Sequence, residues 1–207
     1  TTMLSKNILR IICSYRFSLV IIIFFELLFM LRGYKGNKFN ISKNNKMSDN
    51  ISCPFYFLFK IIKTLKKNNF NKFCDLGCGS GRTIDFFSKT FSNKKYIGIE
   101  FFFDQYDYCK KLFKNKDNIE IIQSDFTKLD FQKYNVDCFF LNDPFKNDRE
   151  FLSFVEKLIN IFPPKKNILF IFVNCDRKLI QPIKKIECIE NYYITNTKGY
   201  SIYRLDK

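Results

Sequence analysis

Three glycines at alternate positions follow a short apolar run that contains an acid. The acid is Asp75, and the glycines are Gly77, Gly79 and Gly81. Glycine adopts backbone angles that other residues cannot, and it lets a ligand approach the main chain. A strand that turns over glycines into a helix forms a nucleotide pocket at its carboxyl end. Arg82 stands where the G-x-G-x-x-G pattern has its third glycine, so this segment does not predict a dinucleotide site.

Polar residues also follow the next three apolar runs along the chain. Glu100 ends the second run, Asp125 and Phe126 follow the third, and Asn142 follows the fourth. Because the carboxyl ends of parallel strands meet at one edge of a sheet, we expect these residues to line one pocket with Asp75. Taken singly, each acid could instead cap a helix or face solvent. Asp125 in particular could cap a short segment at 127–133.

Helical and strand patterns alternate from residue 54 onward, which predicts an α/β fold. The clearest helix carries an apolar stripe from Phe151 to Phe162 and is stopped by two prolines. Two β-rich segments at 186–195 and 200–205 flank a hairpin signal at 196–199. The five earlier strands are predicted at residues 71–76, 95–100, 119–123, 136–141 and 167–173. We therefore expect a doubly wound, mostly parallel seven-strand sheet closed by a C-terminal antiparallel hairpin.

The pattern D-x-G-x-G-x-G over Asp75–Gly81 resembles the first motif of the class I, seven-strand methyltransferases that use S-adenosylmethionine. The order of elements is also that of this family, so the resemblance covers most of residues 51–207, which we take as the methyltransferase domain. It implies that Glu100 binds the ribose, that Asp125 takes the adenine amino group, and that S-adenosylmethionine is the cofactor. The cofactor-binding residues it implies are Asp75, Gly77, Gly79, Gly81, Glu100, Asp125, Phe126 and Asn142.

The segment from Asn142 to Phe145 resembles the N-P-P-F motif of methyltransferases that act on exocyclic amines of adenine or guanine and on a glutamine amide. The resemblance implies catalytic roles for Asn142, Pro144 and Phe145, in which the asparagine and a proline carbonyl accept hydrogen bonds from the NH₂ and the aromatic ring stacks on the acceptor. Asp143 stands where that motif has its first proline. The segment could instead simply turn the chain into the next helix.

A second resemblance is to membrane-anchored, mitochondrial-type protein-lysine methyltransferases. It rests on the order of a hydrophobic segment, a linker, a glycine motif and Gly98-Ile99-Glu100. The acceptor therefore stays open between a protein amine, a nucleic-acid amine, and a small molecule, lipid or glycan. From another class, the chain could be a catalytically silent nucleotide-binding module that acts as a membrane-associated partner.

Composition narrows the chemistry that the chain can perform. Its 207 residues include no histidine, which removes the commonest general base. The eight cysteines are scattered without a C-x-x-C pair, so we predict no metal site and expect reduced thiols in the cytoplasm. The net charge is +15, but residues 1–46 hold eight Lys/Arg against one acid, so almost half of the excess lies in the N-terminal extension.

An apolar run of fifteen residues at 17–31 is interrupted only by Ser18 and Glu26. Basic residues flank the run on both sides, and a helix that spans a membrane usually needs about 20 apolar residues. We expect a hydrophobic helix within residues 1–33, followed by a polar linker at 34–50. Three arrangements of the helix stay open: a short membrane anchor, an interfacial helix on anionic lipid, or a helix packed on the domain or a partner.

Overall fold

The computed structural model describes residues 18–34, 52–163 and 167–205. The predicted linker lies almost entirely outside these ranges. The helices are α1 Leu19–Leu31, α2 Phe55–Asn68, α3 Arg82–Thr90, α4 Phe103–Leu112, α5 Asp148–Asn160 and α6 Arg177–Ile180. The strands are β1 Lys72–Leu76, β2 Lys95–Glu100, β3 Ile119–Gln123, β4 Cys138–Asn142, β5 Leu169–Val173, β6 Ile186–Tyr193 and β7 Gly199–Leu205.

The strands form one seven-stranded sheet in the order β3-β2-β1-β4-β5-β7-β6. Strands β1 to β5 pair in parallel, and β7 inserts antiparallel between β5 and β6. This confirms the predicted fold class. In register, Leu76 of β1 pairs with Ile99 of β2 and with Leu141 of β4. The carboxyl ends of the central strands are therefore level, and the chain changes direction at β1, where open α/β sheets bind ligands.

Strand β4 begins two residues later than the sequence predicts and extends to Asn142. The cause is Asp137, whose carboxylate accepts hydrogen bonds from the backbone N–H groups of Asn71 and Lys72, at 3.0 and 2.9 Å. These bonds fix the chain to the start of β1 before the β4 ladder opens. Asn142 consequently lies at the last position of the strand, at the carboxyl edge of the sheet.

Helices cover both faces of the sheet, as a doubly wound fold requires. One face packs on α1 to α4, and its core includes Phe55, Phe73 and Phe87. The other face packs on α5 and the 3₁₀ turns that follow β3, with Phe139 and Phe170 stacked 5.6 Å apart between ring centroids. The abundant phenylalanines thus form two apolar layers around the sheet, which hold the strand ends in place.

Helix α1 packs on the domain through one of its faces. Phe29 contacts the rings of Phe55 and Phe86, at 5.3 and 5.2 Å between centroids. The carboxylate of Glu26 accepts from Nη1 of Arg82 at 2.8 Å and from the backbone N–H of Phe55 at 2.8 Å. The acid that interrupts the apolar run therefore faces inward. Among the described residues, no helix combines the length and apolar character needed to cross a membrane.

Candidate active site

The glycine turn after β1 has a backbone that requires glycine. Gly77, Gly79 and Gly81 have φ values of +81°, +54° and +80°. In this left-handed region a side chain strains the backbone. The N–H groups of Gly77 and Cys78 both donate to the carbonyl of Ile99, at 2.9 and 3.0 Å, which anchors the turn to the end of β2. The predicted glycines therefore form a sharp connection between the strand and helix α3.

The two outer glycines of the turn face different surroundings. A Cβ atom at Gly81 would lie 2.6 Å from Sγ of Cys109 and 2.7 Å from the ring of Phe113, so α4 packs directly on this end of the turn. A Cβ atom at Gly77 would meet nothing closer than 3.9 Å, where it faces Phe126 and Pro144. Gly81 thus serves packing, whereas Gly77 borders the space between the ends of β1, β3 and β4.

Glu100 is held against the glycine turn by backbone hydrogen bonds. Glu100 is only 5% exposed. Its Oε2 accepts from the N–H of Gly79 at 2.8 Å, and its Oε1 accepts from the N–H of Phe102 at 2.8 Å. Burial raises the pKa of Glu100, and these hydrogen bonds oppose that rise. The backbone N–H of Phe101 acts on the same carboxylate, which still has acceptor capacity for a further hydrogen bond, because an ionised carboxylate offers about four lone-pair sites.

Asp75 is buried beside Glu100 and is 3% exposed. Burial, and then the charge of Glu100, raise the pKa of Asp75 to about 8, while a hydrogen bond from the Thr83 side chain opposes the shift. In the protein alone, Asp75 therefore carries a proton near neutral pH. A cation placed close by would favour its ionised form. Two buried acids next to a glycine turn make this edge suitable for a ligand with hydroxyl and cationic groups.

Asp125 lies after β3 and caps its own turn. Its Oδ1 accepts from the backbone N–H of Thr127 at 3.0 Å and from the Thr127 hydroxyl at 2.6 Å. Partial burial acts to raise the pKa of Asp125, but these hydrogen bonds and the ammonium of Lys128 outweigh it and hold the pKa below its ordinary value. The capping role considered from the sequence is therefore present. The second oxygen, Oδ2, lies 3.6 Å from Nζ of Lys128.

Phe126 connects the ends of β3 and β4. Its buried ring packs edge-on against the ring of Phe145, with centroids 5.6 Å apart. Phe126 and Pro144 both face Gly77, because a Cβ atom at that glycine would lie 3.9 Å from each of them. The structure thus brings the predicted residues Gly77, Phe126, Pro144 and Phe145 together at one edge, although they come from three different strand ends.

The segment after β4 is held in an unusual backbone conformation. Asp143 has a φ of +44°, and its N–H donates to the carbonyl of Val173 at 3.0 Å. Proline fixes φ near −65° and has no N–H, so proline cannot occupy position 143 in this conformation. The departure from N-P-P-F therefore comes with a different loop geometry. Burial raises the pKa of Asp143 to about 6, with Lys198 opposing the rise and Asp148 adding to it.

Asn174 is a site residue that the sequence interpretation missed. Its Nδ2 donates to Oδ1 of Asn142 at 2.9 Å, which orients the side chain of a predicted catalytic residue. It has a φ of +55°, and its N–H donates to the carbonyl of Gly199 at 2.8 Å. Asn174 directly follows β5, so extending the strand-end rule to the fifth strand would have found it.

Two buried polar groups lie near the glycine turn. The hydroxyl of Ser80 and the side-chain amide of Gln105 have no hydrogen-bond partner in the described parts of the chain, and both residues are 2% exposed. Gln105 is one turn before Cys109, whose thiol donates to the carbonyl of Gly79 at 3.4 Å. No sequence pattern indicates Gln105, because the burial of its side chain near the turn depends on how α4 packs over it.

Metal ligation has no support among the described residues, where no group of three or more His, Cys, Asp or Glu side chains could hold an ion. The seven described cysteines are all free thiols, and six of them are buried. They behave as small apolar side chains in the core.

Residues 73–164, which include the glycine turn and the ends of four strands, match the family model described as a methyltransferase domain. Residues 73–164 therefore form a methyltransferase domain, and the chain has the class I methyltransferase fold. The cofactor that this domain indicates is S-adenosylmethionine, since solved structures of the same fold contain it or S-adenosyl-L-homocysteine. The match begins at the first residues of β1, so it contains every predicted cofactor-binding residue of this methyltransferase. No curated protein matches the sequence at a significant level.

Solved structures share the fold of this methyltransferase at low sequence identity. An RNA methyltransferase from Salinibacter ruber in complex with S-adenosyl-L-homocysteine is 14% identical, with a TM-score of 0.56 over 76% of this chain and 95% of the other. N-methyltransferase NodS from Bradyrhizobium japonicum WM9 is 9% identical, with a TM-score of 0.54 over 72% and 94%. Human N-acetylserotonin methyltransferase in complex with S-adenosylmethionine is 13% identical, with a TM-score of 0.55 over 74% and 52%. At these identities the likeness shows the fold alone.

The residues of the site fit the cofactor of the family. Glu100 is fixed beside the glycine turn with acceptor capacity left on its carboxylate. Gly77 leaves room where a side chain would enter the space between Phe126 and Pro144. Ser80 and Gln105 supply buried polar groups next to the same turn. A nucleoside ligand with a cationic end requires a carboxylate that accepts hydrogen bonds from its hydroxyl groups. It also requires main chain that side chains do not cover, and a nearby aromatic surface.

Proposed function

We propose that this protein binds S-adenosylmethionine at the carboxyl edge of β1 to β4 and catalyses transfer of its methyl group to an amine nitrogen. The observation that carries the proposal is the fixed geometry of Glu100 against the N–H of Gly79. The bound cofactor supplies a sulfonium methyl group, which is a strong donor without acid assistance. The protein therefore needs to bind, orient and exclude water rather than to protonate a leaving group, which is consistent with a chain that lacks histidine.

The cofactor side of the site assigns a role to each acid. Glu100 accepts hydrogen bonds from the ribose hydroxyls through the free lone pairs of its oxygens. Asp75 loses its proton when a cationic group enters, because an opposite charge favours the ionised form of a buried carboxyl. Phe126 provides its backbone amide and an aromatic edge for the adenine. Asp125 contributes Oδ2, since Oδ1 is already engaged by Thr127.

The acceptor side of the site is composed of oxygen atoms that accept hydrogen bonds. Asn174 donates to Oδ1 of Asn142 and so fixes the direction of its side-chain amide. The carbonyl of Pro144 and the carboxyl of Asp143 lie in the same segment. With a pKa of about 6, Asp143 is ionised at neutral pH and makes this edge negative. Such an edge favours an acceptor that donates hydrogen bonds or carries positive charge, and the flat ring of Phe145 suits a planar or alkyl amine.

A catalytically silent cofactor-binding module is the second candidate. The observation that favours it is the engagement of Asp125 with Thr127 and Lys128, which competes with a role in binding adenine. Such a module would bind the cofactor and show no turnover with any acceptor.

The proposal can be tested by incubating the full chain with methyl-labelled S-adenosylmethionine and a host lysate. We expect labelled product that resists mild base, because an N-methyl group survives conditions that cleave a methyl ester. Loss of label to protease would indicate a protein acceptor, and loss to nuclease would indicate a nucleic-acid acceptor; hydrolysis of the labelled product and separation of the methylated residues or bases would identify the amine. Base-labile label would contradict the amine assignment, and cofactor binding without any label would support the silent module. Glu100→Gln should label less product at limiting cofactor, and the exposed Glu156→Gln is its matched control.

A further inference from the structure

Helix α1 has one buried face and one exposed face, and both are apolar. Ile22 and Phe29 are each 5% exposed and pack on the domain. The opposite side carries large apolar residues at positions i, i+3, i+4 and i+7 and beyond, which share one face of a helix. These residues, here called the outer stripe, are Val20, Ile23, Phe24, Leu27, Met30 and Leu31, and they are 48 to 88% exposed.

The direction of the outer stripe is fixed by a buried ion pair. Glu26 lies on the inward side and bonds Arg82, whose side chain is 7% exposed. The same carboxylate accepts from the first N–H of α2, at Phe55. Rotating α1 to bury the outer stripe would leave the Arg82 guanidinium buried without its carboxylate, which is strongly unfavourable. The outer stripe is therefore presented outward by the folded domain itself.

The charges around the outer stripe are positive. Within the described residues 18–34, Glu26 is the only acid and is engaged inward, and Arg32 is the only basic residue. Arg32 directly follows the stripe. On the neighbouring helix α2, Phe59 is 49% exposed and packs on Phe25 of α1 at 5.2 Å between centroids. The exposed Lys63 and Lys66 follow Phe59 by one and two helical turns, on the same side.

We propose that the outer stripe lies in the headgroup region of an anionic lipid membrane, with α1 parallel to the membrane surface. An apolar helical face bordered by basic residues binds such a surface through apolar burial together with electrostatic attraction to acidic lipids. The proposal is independent of the methyl acceptor. It places the methyltransferase domain at the membrane surface.

A second copy of the chain is a weaker occupant for the same face. A helix of 13 residues is about 20 Å long and about 10 Å wide, so the stripe offers roughly 200 Å² per partner. A stable protein interface buries about 800 Å² per partner. A lipid surface has no such size requirement, and it matches the basic border, which two identical copies would bring into repulsion.

The chain contains no tryptophan, so a single substitution introduces a unique fluorescent probe. We would compare Phe24→Trp, in the outer stripe, with Phe103→Trp, which replaces a phenylalanine that is 61% exposed on α4. Both full-length proteins are mixed with phosphatidylcholine vesicles with and without phosphatidylserine. We expect a blue shift of Phe24→Trp emission with the anionic vesicles, quenching by brominated acyl chains and reversal by high salt. Phe103→Trp should show none of these changes.

A second variant tests the same proposal without a probe. Leu27→Gln combined with Met30→Gln should reduce co-sedimentation with anionic vesicles at least tenfold and leave the thermal midpoint unchanged, because both side chains are exposed. The proposal is overturned if the unmodified chain stays in the supernatant with anionic vesicles. It is also overturned if sedimentation equilibrium shows a dimer that the double variant abolishes, since a second copy would then be the occupant.

Discussion

The candidate site has two halves that differ in their backbone. The proposed cofactor half lies at the ends of β1 and β2, and the proposed acceptor half lies at the ends of β4 and β5. At the ends of β1 and β2, the left-handed backbone positions are all glycines, and the two acids are 3% and 5% exposed. At the ends of β4 and β5, the left-handed positions are Asp143 and Asn174, which are not glycines. Strained non-glycine residues persist where the surrounding structure determines them, and they concentrate at functional sites. The comparison indicates that the backbone at the ends of β1 and β2 relies on glycine, whereas hydrogen bonds to β5 and β7 hold Asp143 and Asn174 in the same region.

We expect the largest effect on stability from adding a side chain at Gly81, where packing leaves no space for a Cβ atom. Gly81→Ala should lower the free energy of unfolding by about 2–5 kcal/mol, from the positive φ and from contact with Cys109. Gly33→Ala is the matched control, because Gly33 has a φ of +74° with nothing within 4 Å of the added Cβ. It should lose only about 1–2 kcal/mol. Urea unfolding measures both, and equal losses would show that the turn is not tightly packed.

On the acceptor half, a change of backbone should matter more than a change of charge. Asp143→Pro should lower the free energy of unfolding by about 1–3 kcal/mol, because proline cannot adopt a φ of +44° and removes the N–H that bonds Val173. Asp143→Asn preserves the conformation, since asparagine tolerates it, and should stay within about 0.5 kcal/mol. A proline variant as stable as the asparagine variant would mean that the loop does not have this geometry.

The buried acid of the cofactor half predicts a pH dependence. Asp75 has a pKa of about 8 in the folded chain, against about 3.9 for an unfolded carboxyl. The folded state therefore holds more protons between these values, so the contribution of Asp75 to stability falls as pH rises from about 4 to about 8. Asp75→Asn should remove this slope, on the order of 1 kcal/mol per pH unit. Urea unfolding across this range tests the prediction, and parallel curves for both proteins would refute it.

The smallest effect concerns the orientation of Asn142. Asn174→Gly retains a residue that tolerates the φ of +55° and removes the amide that donates to Asn142. One hydrogen bond contributes about 0.5–1.5 kcal/mol, so methyl transfer should slow by roughly 2- to 10-fold while cofactor affinity changes little. Asn69→Gly, at an exposed left-handed asparagine, serves as the control. A loss of cofactor affinity in Asn174→Gly, with transfer otherwise unaffected, would assign Asn174 to the cofactor half.

Local patterns in the sequence predicted the sheet and the glycine turn after β1. The glycine turn and the order of strands each depend on residues that are close in the chain, and the sheet and the methyltransferase domain are as the sequence predicted. Long-range pairs could not be predicted in the same way. The contact of Glu26 with Arg82 joins residues 56 positions apart, and only the packing of α1 shows that the acid faces inward. The φ of Asp143 depends likewise on its hydrogen bond to β5.

Calorimetric titration of S-adenosylmethionine into the full chain tests the central claim most directly. We expect one binding site, with affinity reduced roughly 10- to 100-fold in Glu100→Gln, because a hydrogen bond to a charged group contributes about 1.5–3 kcal/mol. Glu156→Gln should bind like the unmodified protein. A chain that binds no cofactor, or a Glu100→Gln variant that binds it as tightly as the unmodified protein, would contradict the assignment of the pocket.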